Sequence, residues 1–346
     1  MQTSRNPLLL NDSGKITKHS NQDYLLVKLL KSCARKKDLD KGTMLHDHVT
    51  KNGLLENFPY VASALIDMYA KCGVLMKAHE ILEEIPIRDV VIWSALISGY
   101  AQHGHGHQAL ICFQRMQRED GLTPDDVIFT SILKACGSTG AIKEGHEIHD
   151  DIVKRGILHK NVMVDNALVD MYGKCGLLEK AHDVLEGIPV RNVVSWNALI
   201  AGYTRHEDCE AAFYCYQSMR REDIFASEIT YLCILKACAS IGALKKGKAI
   251  HAEIVKEGLL EGNISIGNVL IDMYAECGAL SEAGDIFNEI PIRDVVTLTI
   301  LSSRYADHGL DQDALYILEQ IQMEDVIHVG WCLNILKPQI TRLLKL

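Results

Sequence analysis

The heptapeptide DMYAKCG at Asp67 to Gly73 returns as DMYGKCG at Asp170 to Gly176 and as DMYAECG at Asp272 to Gly278, 103 and then 102 residues further on. Recurrence on that scale means an array of like units, none of which can bury its own apolar face without a neighbour. Function in such a chain is spread along a surface. The segment WSALISGY at Trp93 to Tyr100 returns as WNALIAGY at Trp196 to Tyr203, and ILKACGSTGAIKEG from Ile132 returns as ILKACASIGALKKG from Ile234. A worn copy of that last pattern lies at Leu29 to Gly42. Aligning equivalent residues divides the chain at 23–58, 59–89, 90–125, 126–161, 162–192, 193–227, 228–263, 264–294 and 295–325, with lengths cycling through about 36, 31 and 35.

Each unit reads as a pair of helices. Trp196, Leu199, Ile200 and Tyr203 stand at i, i+3, i+4 and i+7, one face of an α-helix, and Leu177, Ala181, Val184, Leu185 and Ile188 make the stripe of a second helix. Gly73, Gly104, Gly176 and Gly278 stand between the two helices, where a left-handed residue ends the first of them. Pro86, Pro189 and Pro291 close the second helix of the short units. No strand pattern is present. The expected fold is all-α, a right-handed α-solenoid of about nine stacked hairpins, first helices on the inner wall and second helices on the outer.

No apolar run is long enough to span a bilayer, so no membrane partner is expected. Of eleven cysteines, six recur at two register positions: Cys33, Cys136 and Cys238, and Cys72, Cys175 and Cys277. They read as small buried thiols on helices in a reducing compartment. The net charge of −9 weighs mildly against a general nucleic-acid binder, although one face of an array can be basic while the other carries the acids. Residues 1–22 hold Arg5, Lys15 and Lys18 against a lone Asp12; they read as a disordered N-terminus or the remnant of a targeting segment. After about Ile321 the period fades, and 326–346 reads as a degenerate C-terminal tail.

The tetratricopeptide pattern, a Trp-Leu-Gly-Tyr signature at strict 34-residue spacing, does not fit these units. VVSWNALIAGY, ILKACASIGALKKGKAIH and NALVDMYGKCGLLEKAHDVLEGIPVRN instead closely resemble the P, L and S motifs of plant pentatricopeptide repeat proteins of the PLS class. The resemblance runs from residue 23 to about 320, with three motif types in the right cyclic order. It implies single-stranded RNA binding in a mitochondrion or chloroplast, usually to mark a cytidine for editing to uridine, with one base read per hairpin.

In that family the fifth and the last residue of a unit read a base edge, and the second residue packs on base faces. Carried over by register, this gives the pairs Ser63 with Asp89 and Ser94 with Asp125 for guanine, and Thr130 with Asn161 for adenine. Asn166 with Asn192 is implied to read a pyrimidine, Asn197 with Ser227 cytosine, and Asn268 with Asp294 uracil. Val27 and Leu232 hold the fifth position of two L units and cannot hydrogen-bond a base. The implied target from the unit at 59 onward is G-G-A-(C or U)-C-any-U. Val91, Val127, Met163, Val194 and Ile229 suit base packing, and Ser265 does not. The alternative for the Asn and Ser residues is helix capping.

Thirteenth residues end the first helices, and Arg35, Lys71, Lys174 and Arg205 are the basic ones, while Glu276 and Asp307 are acidic. Phosphate contacts are expected over 23–227 and should fade beyond; a plain solvated face is the competing reading.

Editing members of the family often carry a zinc deaminase, which needs H-x-E followed by P-C-x-x-C. Here His251-Ala252-Glu253 is followed by Cys277 and Cys332 alone, and His251 is a repeat residue equivalent to His46 and His149. His103, His105 and His107 belong to one turn of one unit, so no metal or other cofactor is expected. The sequence therefore reads as a non-enzymatic, monomeric adaptor that binds organelle RNA, with an editing enzyme or other editing factors acting in trans. The rival reading is a protein-interaction scaffold with a peptide in its groove.

Overall fold

The computed structural model describes residues 18–323 apart from residue 292, and these divide after Ala167 into two compact units. Both are built of antiparallel helical hairpins, and no strand occurs among the described residues. In the first unit the hairpins are Lys18–Lys36 with Leu39–Lys51, Pro59–Lys71 with Leu75–Glu84, Val90–Gln102 with Gly106–Arg118, and Asp126–Thr139 with Ile142–Lys154. In the second they are Val193–Arg205 with Cys209–Arg221, Glu228–Ser240 with Leu244–Lys256, Ile264–Glu276 with Leu280–Glu289, and Val295–Asp307 with Asp311–Met323. Val162–Lys174 and Leu178–Gly187 complete the set, the dividing point falling inside the former.

Within each unit the first helix of a hairpin packs on the first helix of the next and on both neighbouring second helices. First helices are therefore apolar on most of their circumference. In Pro59–Lys71, eight of thirteen residues are buried, whereas Ile142–Lys154 buries only Gly145, Ile148 and Ile152. Two indole latches reinforce the hairpins: Trp93 Nε1 donates to Asp120 at 2.7 Å and Trp196 Nε1 to Glu222 at 3.0 Å, each tying a first helix to the end of its own second helix. Burying one such ring contributes roughly 2–3 kcal/mol.

The turns follow the glycines. Gly73, Gly176 and Gly278 adopt φ of +81°, +77° and +75°, and an L side chain there would be strained. The short second helices stop at Glu84, Gly187 and Glu289, and an extended isoleucine then leads into Pro86, Pro189 and Pro291.

Three details differ from the sequence reading. The first helix begins at Lys18, inside the segment 1–22 read as disordered, because no Gly or Pro interrupts 18–36; residues 1–17 and the tail at 326–346 lie outside the described residues. An extra turn of helix, Leu54–Asn57, follows a left-handed Gly53. Cys33, Cys136 and Cys238 are buried as expected, with burial pushing the Cys238 thiol up to about 12, but Cys72, Cys175 and Cys277 are only half-buried because they sit where first helices end.

Candidate nucleic-acid interface

In the helices Val90–Gln102, Asp126–Thr139, Val162–Lys174, Val193–Arg205 and Glu228–Ser240, the second-position residues Val91, Val127, Met163, Val194 and Ile229 are 56–66% exposed. Apolar side chains left in solvent at one register position of successive hairpins form a pattern, unlike the scattered exposure of ordinary surfaces. Tyr60 and Val296 occupy the same position and are also exposed; register alone would have found them. Ser265 breaks the series.

Fifth-position residues lie one turn on, on the same helix face. Ser94, Asn166, Asn197 and Asn268 are at least nine-tenths buried, while Ser63 and Thr130 are half-buried. The amide oxygens of Asn166 and Asn268 find no hydrogen-bond partner among the described residues. Such a buried acceptor is costly unless a ligand satisfies it. Thr130 turns its hydroxyl onto the Asp126 carbonyl at 2.6 Å.

The six last-position residues carried over as base readers all act as helix caps. Asp89 accepts from the Ile92 N–H, Asp125 from Ile128, Asn161 from Met163, and Asn192 from Val194 and Ser195. Ser227 accepts from Thr230, and Asp294 from Thr297. The capping alternative is thus physically present at every one of these positions. It does not exhaust them, because a carboxylate that caps with one oxygen keeps another open.

Asn197 and Ser227 meet directly: Asn197 Nδ2 donates to Ser227 Oγ at 2.9 Å, and Asn197 Oδ1 accepts from the Thr230 hydroxyl at 2.6 Å. Thr230 was not singled out in the sequence; a hydroxyl at the third position, shared with Ser195 and Thr297, was the available signal. Thr130 and Asn161 are not joined in this way, for Asn161 Nδ2 donates instead to Asp126 Oδ2 at 2.7 Å. Asn166 lies in the first compact unit and Asn192 in the second.

Of the four basic residues, Lys71 is held by Asp67 at 2.8 Å and Lys174 by Asp170 at 2.6 Å. Arg35 and Arg205 are exposed and make no ion pair among the described residues. Arg35 and Lys71 line a cleft of about 590 Å³ with Lys28, Lys31 and Asp67, a basic surface in spite of the net charge. Where the third copy of the heptapeptide carries Glu276 in place of lysine, Arg304 of the next hairpin spans Asp272 at 2.7 Å and Glu276 at 2.5 Å. Those acids are spent on packing between hairpins. No cluster of three or more potential metal ligands occurs among the described residues.

The model of the PPR repeat family matches residues 88–137 and 191–240, and that of the PPR repeat matches 60–90, 127–157, 166–193 and 268–295. A pentatricopeptide repeat-containing protein of Arabidopsis thaliana named as mitochondrial is 38% identical over 295 residues, 85% of this chain and 46% of its own. Another from the same plant, named as chloroplastic, is 32% identical over 315 residues, 88% of this chain and 35% of its own. The chain therefore spans less than half the length of these relatives. Among solved structures, the maize pentatricopeptide repeat protein PPR10, crystallised with an 18-nt psaJ RNA element, shares the fold, with a TM-score of 0.67 at 15% identity over 88% of this chain and 48% of that one. Repeated hairpins in register, matched stretch by stretch and in their stacking, make this chain a member of the pentatricopeptide repeat family.

Proposed function

We propose that the chain is a sequence-selective single-stranded RNA-binding adaptor of the PLS class, acting in a mitochondrion or chloroplast. In this reading it marks a cytidine editing site, has no catalytic activity of its own, and leaves the deamination to an enzyme supplied in trans. The observation that carries the reading is the exposed apolar second position with a polar fifth position one helical turn away, repeated in the five successive hairpins that begin at 59, 90, 126, 162 and 193. An exposed apolar side chain offers a stacking platform, and the buried polar group beside it offers an edge-specific contact. Relatives named as mitochondrial and chloroplastic, and PPR10 held on an RNA element, lend support from outside the chain.

The reading assigns Ser63 with Asp89, Ser94 with Asp125, Thr130 with Asn161, Asn166 with Asn192, Asn197 with Ser227, and Asn268 with Asp294 to successive bases. Its test is the substitution Ser227→Asp. A carboxylate keeps the cap with one oxygen, as Asp294 does, and offers the other to the uracil N3–H, which cytosine lacks. Preference at this position should move from cytosine to uracil by about five- to a hundredfold, the worth of one mismatched hydrogen bond at a base. Titrating both proteins with G-G-A-C-C-A-U and G-G-A-C-U-A-U measures it, and equal ratios for the two proteins would refute the register.

A further inference from the structure

Thr230 is fully buried at the third position of its helix, and it reaches back one hairpin to a residue 33 positions earlier. Its hydroxyl proton goes to Asn197 Oδ1 at 2.6 Å, and its oxygen accepts the Ser227 backbone N–H at 2.9 Å. Those two bonds hold the Asn197 amide with its oxygen inward and its Nδ2 on Ser227 Oγ. Ser227 Oγ then accepts twice, from Asn197 Nδ2 at 2.9 Å and from the Thr230 N–H at 3.4 Å. A hydroxyl has two acceptor sites and one proton. What remains free at the pair is the Ser227 O–H, which otherwise lies 3.1 Å from Thr230 Oγ1, and the second N–H of Asn197. The second lone pair of Asn197 Oδ1 stays on the side of the buried Thr230, so the open valences left at the outer side of the pair are donors.

The same three register positions two hairpins later are arranged differently. Thr297 gives its proton to Asp294 Oδ1 at 2.8 Å, and Asn268 Oδ1 is left without a partner. There the open valences include two acceptors, Asn268 Oδ1 and the second oxygen of Asp294. The two triads differ in where the threonine proton goes, to the asparagine where the cap is Ser227 and to the cap itself where it is Asp294.

We propose that Thr230 is a positioning residue that sets the base preference of the Asn197 and Ser227 pair, by locking the amide so that only donors face the base. Cytosine meets those donors with lone pairs at N3 and O2, whereas uracil brings an N3–H that finds no acceptor. Without the Thr230 hydroxyl the amide is free to turn its oxygen to uracil. The proposal rests on the base-reading assignment of the preceding section, and the controls separate the two.

The experiment compares wild type, Thr230→Val, Thr230→Ser and Asn197→Ala on G-G-A-C-C-A-U and G-G-A-C-U-A-U, reading the ratio of the two affinities within each protein. Such a ratio is insensitive to the folded fraction, so a destabilised variant remains informative. Thr230→Val should lower the cytosine-to-uracil ratio by about fivefold, the effect of one redirected hydrogen bond. Thr230→Ser should restore it, and Asn197→Ala should bring it near unity. If Thr230→Val keeps the wild-type ratio while Asn197→Ala abolishes it, the role of Thr230 is overturned and the base-reading assignment stands. If Asn197→Ala also keeps the ratio, the assignment itself falls, and the role of Thr230 with it.

Discussion

Asp89 and Asp125 each engage one carboxylate oxygen with a backbone N–H, at 2.9 and 2.8 Å, and leave the other open, whereas Ser227 keeps only a proton. Under the proposed function, capping selects which valence a last-position residue can show to a base. The basic residues divide in a similar way. Lys174 is already engaged by Asp170, an i,i+4 pair worth a few tenths of a kcal/mol, and Arg205 is exposed without such a partner. Neutralising both should weaken all RNA sequences alike and flatten the salt dependence by roughly two units at most. Arg205→Gln should account for the larger part, since displacing Asp170 offsets some of what Lys174 gains from a phosphate. A changed base preference with an unchanged salt slope would contradict the phosphate assignment.

Helices and turns were legible because each hairpin repeats a 3.6-residue apolar stripe punctuated by a turn glycine, and in the short units by a closing proline. Bonds between hairpins were not: Thr230 to Asn197, Arg304 to Asp272 and Asn161 to Asp126 join residues 32 to 35 positions apart, and only the stacking distance decides that they meet. That distance is set by small residues. A Cβ on Gly99 would lie 2.6 Å from Ala70 Cβ, where two first helices cross, so Gly99→Ala should lower stability by about 1–3 kcal/mol through overpacking. An unchanged urea midpoint would show that the crossing is looser than described. The His46 and His251 rings, each 2.9 Å from the hydroxyl of Tyr69 or Tyr274, have pKa values lowered by burial. Above the ordinary value of 6.5 both folded and unfolded states are neutral and the packing contributes in full. As pH falls through 6.5 the unfolded chain takes up protons that the folded chain refuses, so stability declines until the lower folded values are passed. Urea midpoints at about pH 7.5 and 5.5 should therefore differ less in a His46→Phe, His251→Phe double variant than in wild type; equal differences would remove these rings from the account.

At the scale of the molecule, acids and bases are partitioned. The basic cleft of Lys28, Lys31, Arg35 and Lys71 belongs to the first hairpins, and Asp272, Glu276 and Asp307 gather around Arg304 in the last, so a net charge of −9 says little about where a polyanion lies. An adaptor with no metal chemistry should retain no stoichiometric zinc after chelation and should not deaminate cytidine; one zinc held per chain would contradict that. The central claim is that hairpins read bases one by one in register. Selection of bound RNA from a random single-stranded pool tests it most directly. The account predicts enrichment of G-G-A-(C or U)-C-any-U in unstructured RNA, with tolerance at the sixth position, where the unit carries Leu232 in the fifth register position. Recovery of pools with no common sequence, or of a motif unrelated to this order, would contradict it.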